Sequence, residues 1–402
     1  RDFFYFCSMS VILFDDQFRS NLLPLVYTRP VSELRVGILT IAEKWRKHLE
    51  TDAAYLTESY LQEKYPLKYF PVNLFINAAI CPDEDLIEII DTLKEGEALI
   101  ADQLLIAARL AESDAREFSP LHTEKLKLLE YSKPFVRVAF PDHIFTFNDT
   151  EIRKDFKLIS KGRQSASISN TNTVLGDDIF IEEGVEAECS TFNTRTGPIY
   201  LGKRALVMEG CHIRGSFSLG DDSVIKMGAK IYGMTSVGPH SKVGGEINNS
   251  VIFANSSKGH EGYLGNSVIG EWCNIGADSN NSNMKNNYAE VRLWDYPTEG
   301  FRRTGLQFCG LIMADHAKCA INTMFNTGTV VGVGANIFGS GFPRNFVPDF
   351  SWGGNSGFEV YSLKKMFETA AKVYERRNAE FNEIDTAILS RVFEMTEQYR
   401  RF

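Results

Sequence analysis

The sequence predicts three parts in series: an N-terminal α/β domain, a parallel β-helix built from hexapeptide repeats, and a C-terminal helical segment. Three observations lead to this prediction. Short apolar runs alternate with helical patterns over residues 9–160, as in an α/β unit. Aliphatic residues then recur at every sixth position within residues 165–345. Finally, apolar residues return at helical spacing within residues 356–402.

Composition excludes several classes of protein. Of the 402 residues, 44% are hydrophobic and 24% charged, which is typical of a folded globular chain and not of a disordered or multi-span membrane protein. The net charge of −9 argues against binding nucleic acid, which needs clustered Lys and Arg. The seven cysteines are widely spaced and contain no CxxC. We therefore expect a reduced, cytoplasmic protein with no nucleic-acid and no membrane partner.

The N-terminal domain is expected to begin at Met9, and residues 1–8 to be vector-derived or upstream residues. The uncharged run 3–14 is too short to cross a bilayer, and it has no small-residue cleavage site. Residues 10–14 are then predicted to form a buried first strand. Helices are predicted at residues 86–93 and 102–112 within the same domain.

The six-residue period is the strongest pattern in the chain. Its two runs are Leu201, Val207, Ile213, Leu219, Ile225, Ile231, Val237 and Val243, and then Met313, Cys319, Phe325, Val331 and Ile337. Three six-residue edges form one coil of a triangular prism whose aliphatic residues point to the axis. A β-sandwich would instead alternate with turns every 8–12 residues. The period breaks at 248–262 and 286–311, and such insertions are expected to leave the stack as loops that carry function.

A polar motif lies between and beside these breaks. Its residues are His260, Tyr263, Leu264, Gly265, Ile269, Gly270, Asn274, Ile275, Gly276 and Ala277. In this motif the sequence resembles the acetyltransferase half of the bifunctional glucosamine-1-phosphate acetyltransferase/N-acetylglucosamine-1-phosphate uridylyltransferases. The nearest variant is the archaeal type of sugar-1-phosphate nucleotidylyltransferase with a β-helical tail. The resemblance implies a left-handed β-helix acyltransferase domain over residues 165–345.

The resemblance also implies catalytic roles. His260 matches the family's general base, and histidine suits that role at neutral pH because its ordinary pKa is about 6.5. Asn283 matches an asparagine beside the acceptor and the developing oxyanion. The backbone N–H of Ala277 matches a donor to that oxyanion.

Substrate binding is assigned from the resemblance to a second group of residues. Tyr263 and Asn274 match residues that hold the amino sugar, and Lys226 matches a basic position that contacts its phosphate. Lys258 and Lys285, on either side of the motif, are added as substrate-binding lysines. The sequence departs from the family at other positions, where Asn248 and Asn249 replace lysines, Asp278 a glycine and Met284 an aromatic residue. These departures bear on the choice of substrate.

The resemblance implies acetyl-CoA as co-substrate, an amino-sugar phosphate or nucleotide-linked amino sugar as acceptor, and a homotrimer. Acetyl-CoA is expected along the outside of the coils between subunits, with contacts partly from residues 313–337, and its other binding residues are left open. The sequence contains no cluster of His and Cys at metal spacing, so no protein-built metal site is predicted.

The N-terminal domain resembles a truncated nucleotidylyltransferase. Residues 23–35 are similar to the L-x-P-L-T-x-x-R-P segment of that family. However, Asp15 and Asp16 stand where its glycine-rich triphosphate loop would follow the first strand. Two alternatives to acetyl transfer stay open: a sugar-1-phosphate nucleotidylyltransferase using a nucleoside triphosphate and Mg²⁺, and a non-catalytic β-helical assembly protein.

Overall fold

The computed structural model describes residues 9–402, so the expectation for residues 1–8 lies outside the described residues. The described chain divides into two compact units. Unit 1 comprises residues 9–22, 28–34 and 39–139, and unit 2 comprises residues 23–27, 35–38 and 140–402. The helices between residues 141 and 160 are therefore part of unit 2.

Unit 1 is an α/β unit around one six-stranded sheet. The strands, in spatial order, are Ala53–Leu56, Met9–Phe14, Val72–Asn77, Leu104–Ala111, Glu97–Ala101 and Lys127–Glu130. A two-stranded sheet pairs Ile80–Cys81 with Val136–Arg137. The helices are Ile41–Leu49, Glu84–Thr92 and Glu112–Arg116, with 3-10 turns at Arg19–Leu22, Val31–Glu33 and Ser59–Leu61.

Two predictions for unit 1 have opposite outcomes. The first strand is confirmed, because residues 10–14 are buried within Met9–Phe14 and pair in parallel with both neighbouring strands. The helix at 102–112 is wrong, because Leu104–Ala111 is a strand paired antiparallel to Val72–Asn77 and Glu97–Ala101. Its leucines and alanines favour a helix in isolation, but pairing on both edges inside the sheet outweighs that preference.

Unit 2 is a parallel β-helix whose three faces are three parallel sheets. The first face contains Ile179–Ile181, Ile199–Leu201, Phe217–Leu219, Thr235–Val237, Val251–Ile252, Val268–Ile269, Leu311–Met313, Thr329–Val331 and Phe346–Val347. The second face contains Glu186–Ala187, Leu206–Val207, Val224–Ile225, Lys242–Val243, Ser257–Lys258, Asn274–Ile275, Lys318–Cys319, Asn336–Ile337, Ser351–Gly354 and Gly357–Val360. The third face contains Thr173–Leu175, Thr191–Asn193, His212–Arg214, Lys230–Tyr232, Glu246–Asn248 and Tyr263–Gly265, followed by the pair Asn280–Asn281 and Met324–Phe325.

The predicted period produces the core of unit 2. All thirteen residues of its two runs are buried and belong to one apolar cluster along the axis. The chain visits the first, second and third faces in turn, so each aliphatic residue packs on its counterpart in the next coil. The predicted architecture is confirmed: an α/β N-terminal unit, a parallel β-helix of about 10 turns, and C-terminal helices. The left-handed sense of the β-helix stays a prediction.

The two breaks in the period differ in the structure. Residues 248–262 do not leave the stack, because the strands Val251–Ile252 and Ser257–Lys258 pair with both neighbouring coils. Only the edges are shorter there, so the period slips without a loop. Residues 282–310 do leave the stack, and they include an antiparallel hairpin of Arg292–Asp295 and Gly300–Arg303.

Helices that precede and follow the coils in sequence pack along the side of the prism. Pro141–Thr146 and Asn148–Ser160 precede the coils, and Leu363–Glu375, Glu383–Met395 and the 3-10 turn Glu397–Tyr399 follow them. The helix Leu363–Glu375 folds back on the prism, where the Tyr374 ring stacks on Trp272 at 3.7 Å between centroids. The last strand, Gly357–Val360, runs antiparallel to Ser351–Gly354. Within residues 9–402, no helix has the length and apolar character needed to span a membrane.

Candidate active site

One edge of the prism gathers three of the predicted site residues. His260 is exposed in the turn 259–262 between the second and third faces. The corresponding turn of the next coil stacks on it, because the amide of Asp278, next to Ala277, donates to the Glu261 carbonyl at 3.0 Å. On the other side, a Cβ built at Gly259 would lie 3.9 Å from Cγ of Lys226. Lys226, His260 and Ala277 therefore lie on turns of the same edge, with the turn at Gly244 between those of Lys226 and His260.

A hydrogen-bonded network lies beside this edge on the third face. Asn283 Nδ2 donates to the Tyr263 hydroxyl at 3.0 Å and to Asn266 Oδ1 at 2.8 Å. Burial raises the pKa of Tyr263, although hydrogen bonds with Asn248 and Asn283 oppose that shift. The phenol therefore stays protonated at neutral pH and can donate to a ligand while it accepts from Asn283. The structure thus joins Tyr263 and Asn283, which lie 20 residues apart in the sequence.

A cavity of about 380 Å³ opens next to the network. Its walls include Phe145, Met234 and Phe308, and its polar groups include Asn249 and Asn266. A volume of this size falls within the range of small-molecule sites, and a mainly apolar wall with a few polar groups is their usual composition. The Asn266 side chain connects the cavity to the network.

Two of the predicted substrate-binding residues, Lys285 and Asn274, lie outside this network. Lys285 lines a separate cavity of about 400 Å³ with Arg292 and Phe301, and its ammonium donates to the Glu290 carbonyl at 2.9 Å. Asn274 is exposed on the outer side of the second face, paired with Lys318 of the next coil. The structure places neither residue in the Tyr263 network.

Lys258 differs from its predicted position most of all. Its side chain points into the prism, it is 2% exposed, and Nζ donates to the carbonyls of Gly244 at 2.9 Å and His260 at 2.6 Å. A substrate on the surface cannot reach this ammonium group. The reason is register, because Lys258 pairs with the inward-pointing Val243 of the preceding coil.

Sequence reasoning missed Asn266, Asn281 and Glu246. Asn266 links the network to the cavity, and Glu246 pairs in register with Tyr263 on the third face. Asn281 is buried inside the prism, six residues after Ile275 and so on the aliphatic register. The sequence did contain a signal for Asn281, because a polar residue stands there at a position of the six-residue period where an aliphatic residue is expected. For Asn266 and Glu246 the sequence carries no comparable signal.

In unit 1, the turn after the first strand is held by its two carboxylates. Asp15 accepts hydrogen bonds from the amide of Val31 at 2.9 Å and from Nε of Arg19 at 3.0 Å. Asp16 Oδ2 forms an ion pair with Arg137 at 3.0 Å and accepts from the Asn77 amide at 3.0 Å. These contacts fill the place that the sequence comparison assigned to a triphosphate loop.

Residues 9–402 contain no group of three or more His, Cys, Asp or Glu side chains arranged to hold a metal ion.

The comparisons with known proteins concern both units. Residues 11–164 match the family model of the sugar nucleotidyl transferases. The bifunctional protein GlmU of Methanococcus maripaludis is 32% identical over 97 residues, which cover 23% of this chain and 22% of that protein. GlmU of Methanococcus aeolicus is 29% identical over 194 residues, which cover 47% of this chain and 40% of that protein. The matches therefore span less than half the length of these curated relatives.

These matches confirm the resemblance inferred from the motif, and the matched family is one of transferases, the predicted enzyme class. Solved structures with similarity include an Arabidopsis UDP-N-acetylglucosamine acyltransferase, at 15% identity and a TM-score of 0.24, covering 58% of this chain and 89% of that one. Another is a mutant of AntD, an N-acyltransferase from Bacillus cereus in complex with dTDP and coenzyme A. It is 12% identical with a TM-score of 0.22, and the match covers 56% of this chain and 96% of that one.

Proposed function

We propose that unit 2 is an acetyl-CoA-dependent N-acetyltransferase whose acceptor is an amino-sugar phosphate or a nucleotide-linked amino sugar. The observation that carries the proposal is the network of Tyr263, Asn283 and Asn266, which lies between the His260 turn and a cavity of about 380 Å³. A β-helix that serves only as scaffold requires the aliphatic period alone. The polar network has no role in that period.

The reaction follows from the groups available at this edge. The acceptor's amine nitrogen attacks the thioester carbonyl of acetyl-CoA, a C–N bond forms, and the C–S bond breaks. The His260 imidazole takes the proton that the nitrogen loses and passes it to the departing thiolate. The backbone N–H of Ala277 is assigned to the developing oxyanion, which preorganised donors stabilise. Both N–H groups of the Asn283 side chain are engaged by Tyr263 and Asn266, so Asn283 is assigned to orient the Tyr263 hydroxyl beside the acceptor.

Charge near the site supports an acceptor that carries both an amine and a phosphate. Glu246 lies on the third face beside Tyr263, where a carboxylate attracts the ammonium form of an amino sugar. Lys226 flanks the His260 turn, and Lys285 lies with Arg292 in the second cavity. These cations are placed for the phosphate of the acceptor or of the donor.

The test is an assay of coenzyme A release from acetyl-CoA with a panel of acceptors. Glucosamine 1-phosphate and a nucleotide-linked amino sugar are expected to stimulate release. Glucosamine 6-phosphate is the control for the position of the phosphate, and N-acetylglucosamine 1-phosphate is the control for the free amine. If no amino sugar with a phosphate or nucleotide group is acetylated, the proposal is wrong.

Nucleotidyl transfer by unit 1 is the second candidate, because residues 11–164 match the sugar nucleotidyl transferases. That reaction would need a nucleoside triphosphate and Mg²⁺. The contacts of Asp15 and Asp16 disfavour it, since they occupy the turn where backbone N–H groups would hold phosphates.

A further inference from the structure

Two buried polar residues break the aliphatic register directly behind the proposed active site. Lys258 and Asn281 stand on inward-pointing positions, on the second and third faces, and are 2% and 4% exposed. Their counterparts in the preceding coil, Val243 and Leu264, are apolar. Taking an ammonium group and an amide out of water is unfavourable unless hydrogen bonds compensate. Their partners therefore indicate what they do.

Both residues bind the backbone of one short segment, 260–265. Lys258 Nζ donates to the carbonyl of His260 at 2.6 Å and bridges it to Gly244 in the preceding coil. Asn281 accepts from the amide of Gly265 at 2.9 Å and donates to its carbonyl at 3.0 Å. The segment is thus held from inside the prism at both of its ends.

The segment held in this way carries His260 and Tyr263. Within it, the turn 259–262 contains two glycines and is exposed or half-buried at each position. Glycine-rich turns have a large conformational freedom to lose, so external contacts decide how well such a turn is fixed. An aliphatic side chain at either inward position would fill the prism without fixing the turn.

We propose that Lys258 and Asn281 are positioning residues that hold segment 260–265, and with it the His260 imidazole and the Tyr263 hydroxyl, in the geometry for acyl transfer. This inference rests on the proposed function for its catalytic part. Its structural part, the fixing of the segment by the two buried side chains, stands independently.

The surroundings of the Lys258 ammonium agree with this role. A small cavity beside it, with room for about one water molecule, is lined by Tyr263, Asn280 and Asn281. Burial lowers the pKa of Lys258 to about 8, while Glu261 and Cys319 raise it and Lys230 lowers it. Because an amine donates hydrogen bonds in both protonation states, the two contacts to carbonyls persist across neutral pH.

The experiment compares Lys258→Met and Asn281→Leu with the unaltered protein by amide hydrogen exchange and by activity. Methionine is unbranched and close to lysine in volume, and leucine is the residue that stands at the counterpart position 264. Both substitutions therefore restore the apolar register. We expect amides 259–266 to exchange about tenfold faster, since each variant removes hydrogen bonds to that segment. The melting temperature should fall only modestly, because burying an apolar side chain offsets part of the cost of leaving the backbone groups of His260 or Gly265 without their partner.

Activity supplies the second measurement. Acetyl transfer is expected to fall in kcat by about tenfold or more with little change in KM, since the substrate cavity itself is intact. Lys203→Met, at an exposed lysine of the early coils, is the matched control and should alter neither measurement. Unchanged exchange over 259–266 in both variants overturns the inference, whatever the activity. Faster exchange in a protein that shows no acetyl transfer leaves the fixing of the segment in place and overturns the proposed function instead.

Discussion

His260 differs from the histidines that serve the prism because its side chain is not part of a stacked face. His316 packs in a stack with Trp272 and Tyr374, and His240 lies 3.8 Å from Asp222. The exposed turn of His260 gives its imidazole access to solvent and to an acceptor.

Replacing His260 tests its role as base. We expect His260→Gln to lower turnover by about 10²–10⁴, the usual contribution of a positioned general base, without loss of folding. His212→Gln, at an exposed histidine three coils away on the third face, is the control. Undiminished acetyl transfer by a folded His260→Gln protein would remove the assignment.

Tyr263 is the second residue for direct test. Tyr263→Phe deletes the hydroxyl that accepts from Asn283, so the amide of Asn283 loses one of its two side-chain partners. We expect kcat/KM to fall about 3–10-fold, the effect of one ordinary hydrogen bond. Tyr288→Phe, at a tyrosine 61% exposed on the excursion 282–310, should leave the rate unchanged. Equal losses in the two variants would contradict a specific role for Tyr263.

At this scale the sequence predicts some positions and not others. The family resemblance pointed to His260, Tyr263 and Asn283, and the structure brings the last two into contact. It could not place Lys258, since the six-residue period slips between Val243 and Lys258 as the edges shorten. That slip decides which side chains point into the prism, and neither the composition nor the motif reveals it.

At the scale of the turn, stacking requires glycine where successive coils approach most closely. A Cβ at Gly276 would lie 2.5 Å from both the carbonyl oxygen of Ala320 and the nitrogen of Ile321 in the next coil. Backbone atoms of a stacked coil cannot yield to such a contact without separating the coils.

Gly276→Ala is therefore expected to lower the free energy of unfolding by about 1–3 kcal/mol, the usual effect of overpacking. The measurement is urea denaturation. Gly300→Ala in the hairpin is the control, because a Cβ there would lie 3.7 Å or more from its neighbours. Equal stability of the two variants would show that the coils separate more easily than the structure implies.

Because burial in its strand lowers the pKa of Lys258, we expect the stability of the folded protein to depend on pH. Between pH 8 and 10.5 the unfolded chain binds a proton at this residue and the folded chain does not, so the free energy of unfolding rises with pH. Between pH 8 and 10.5 the free energy of unfolding of the unaltered protein should rise by on the order of 2–3 kcal/mol more than that of Lys258→Met. Parallel curves for the two proteins from pH 7.5 to 10 would contradict a depressed pKa.

Strands and helices could be predicted where the spacing of apolar residues fits only one kind of secondary structure. The period of six gave the coils, and the helical spacing after Leu363 gave the helix Leu363–Glu375. It failed for Leu104–Ala111, whose apolar residues fit a buried helix and a buried strand equally well. Only the two neighbouring strands, which are distant in sequence, decide between them.

For the whole molecule, the proposed trimer needs a surface where prisms meet. The two breaks in the six-residue period contain aromatic residues, which are enriched at interfaces, but Phe253 and Tyr296 among them are buried within unit 2, at 1% and 2% exposure, and cannot contribute. Ile321, Met324 and Phe338 are exposed apolar residues on two successive coils, and the first two fall within the range 313–337 expected to contact acetyl-CoA. Exposed apolar side chains on adjacent coils are typical of a contact surface.

Light scattering at micromolar concentration is expected to give about three times the chain mass of 45.3 kDa. Ile321→Glu should lower that mass and the rate of acetyl transfer together, because a buried unpaired carboxylate opposes association. Leu121→Glu, at a leucine 62% exposed in unit 1, is the control. A stable monomer that acetylates its acceptor would contradict both the trimer and the shared site.

The second candidate function belongs to the same scale, because it assigns unit 1 an activity of its own. We expect no nucleotide sugar from UTP or dTTP, Mg²⁺ and a sugar 1-phosphate, since Asp15 and Asp16 hold the turn after the first strand. Release of pyrophosphate is the measurement. Release that requires both substrates would show that unit 1 retains nucleotidyl transfer.

The reversed strand Gly357–Val360 has a consequence for assembly. Every earlier strand of the second face runs in one direction, so each coil offers the next a template of the same polarity. A final strand of opposite polarity ends that series, and its outer residues include the exposed Glu359 and Val360. Another prism arriving end-on would meet a mismatched, charged rim. On this face the protein therefore carries its own stop against growth into a filament.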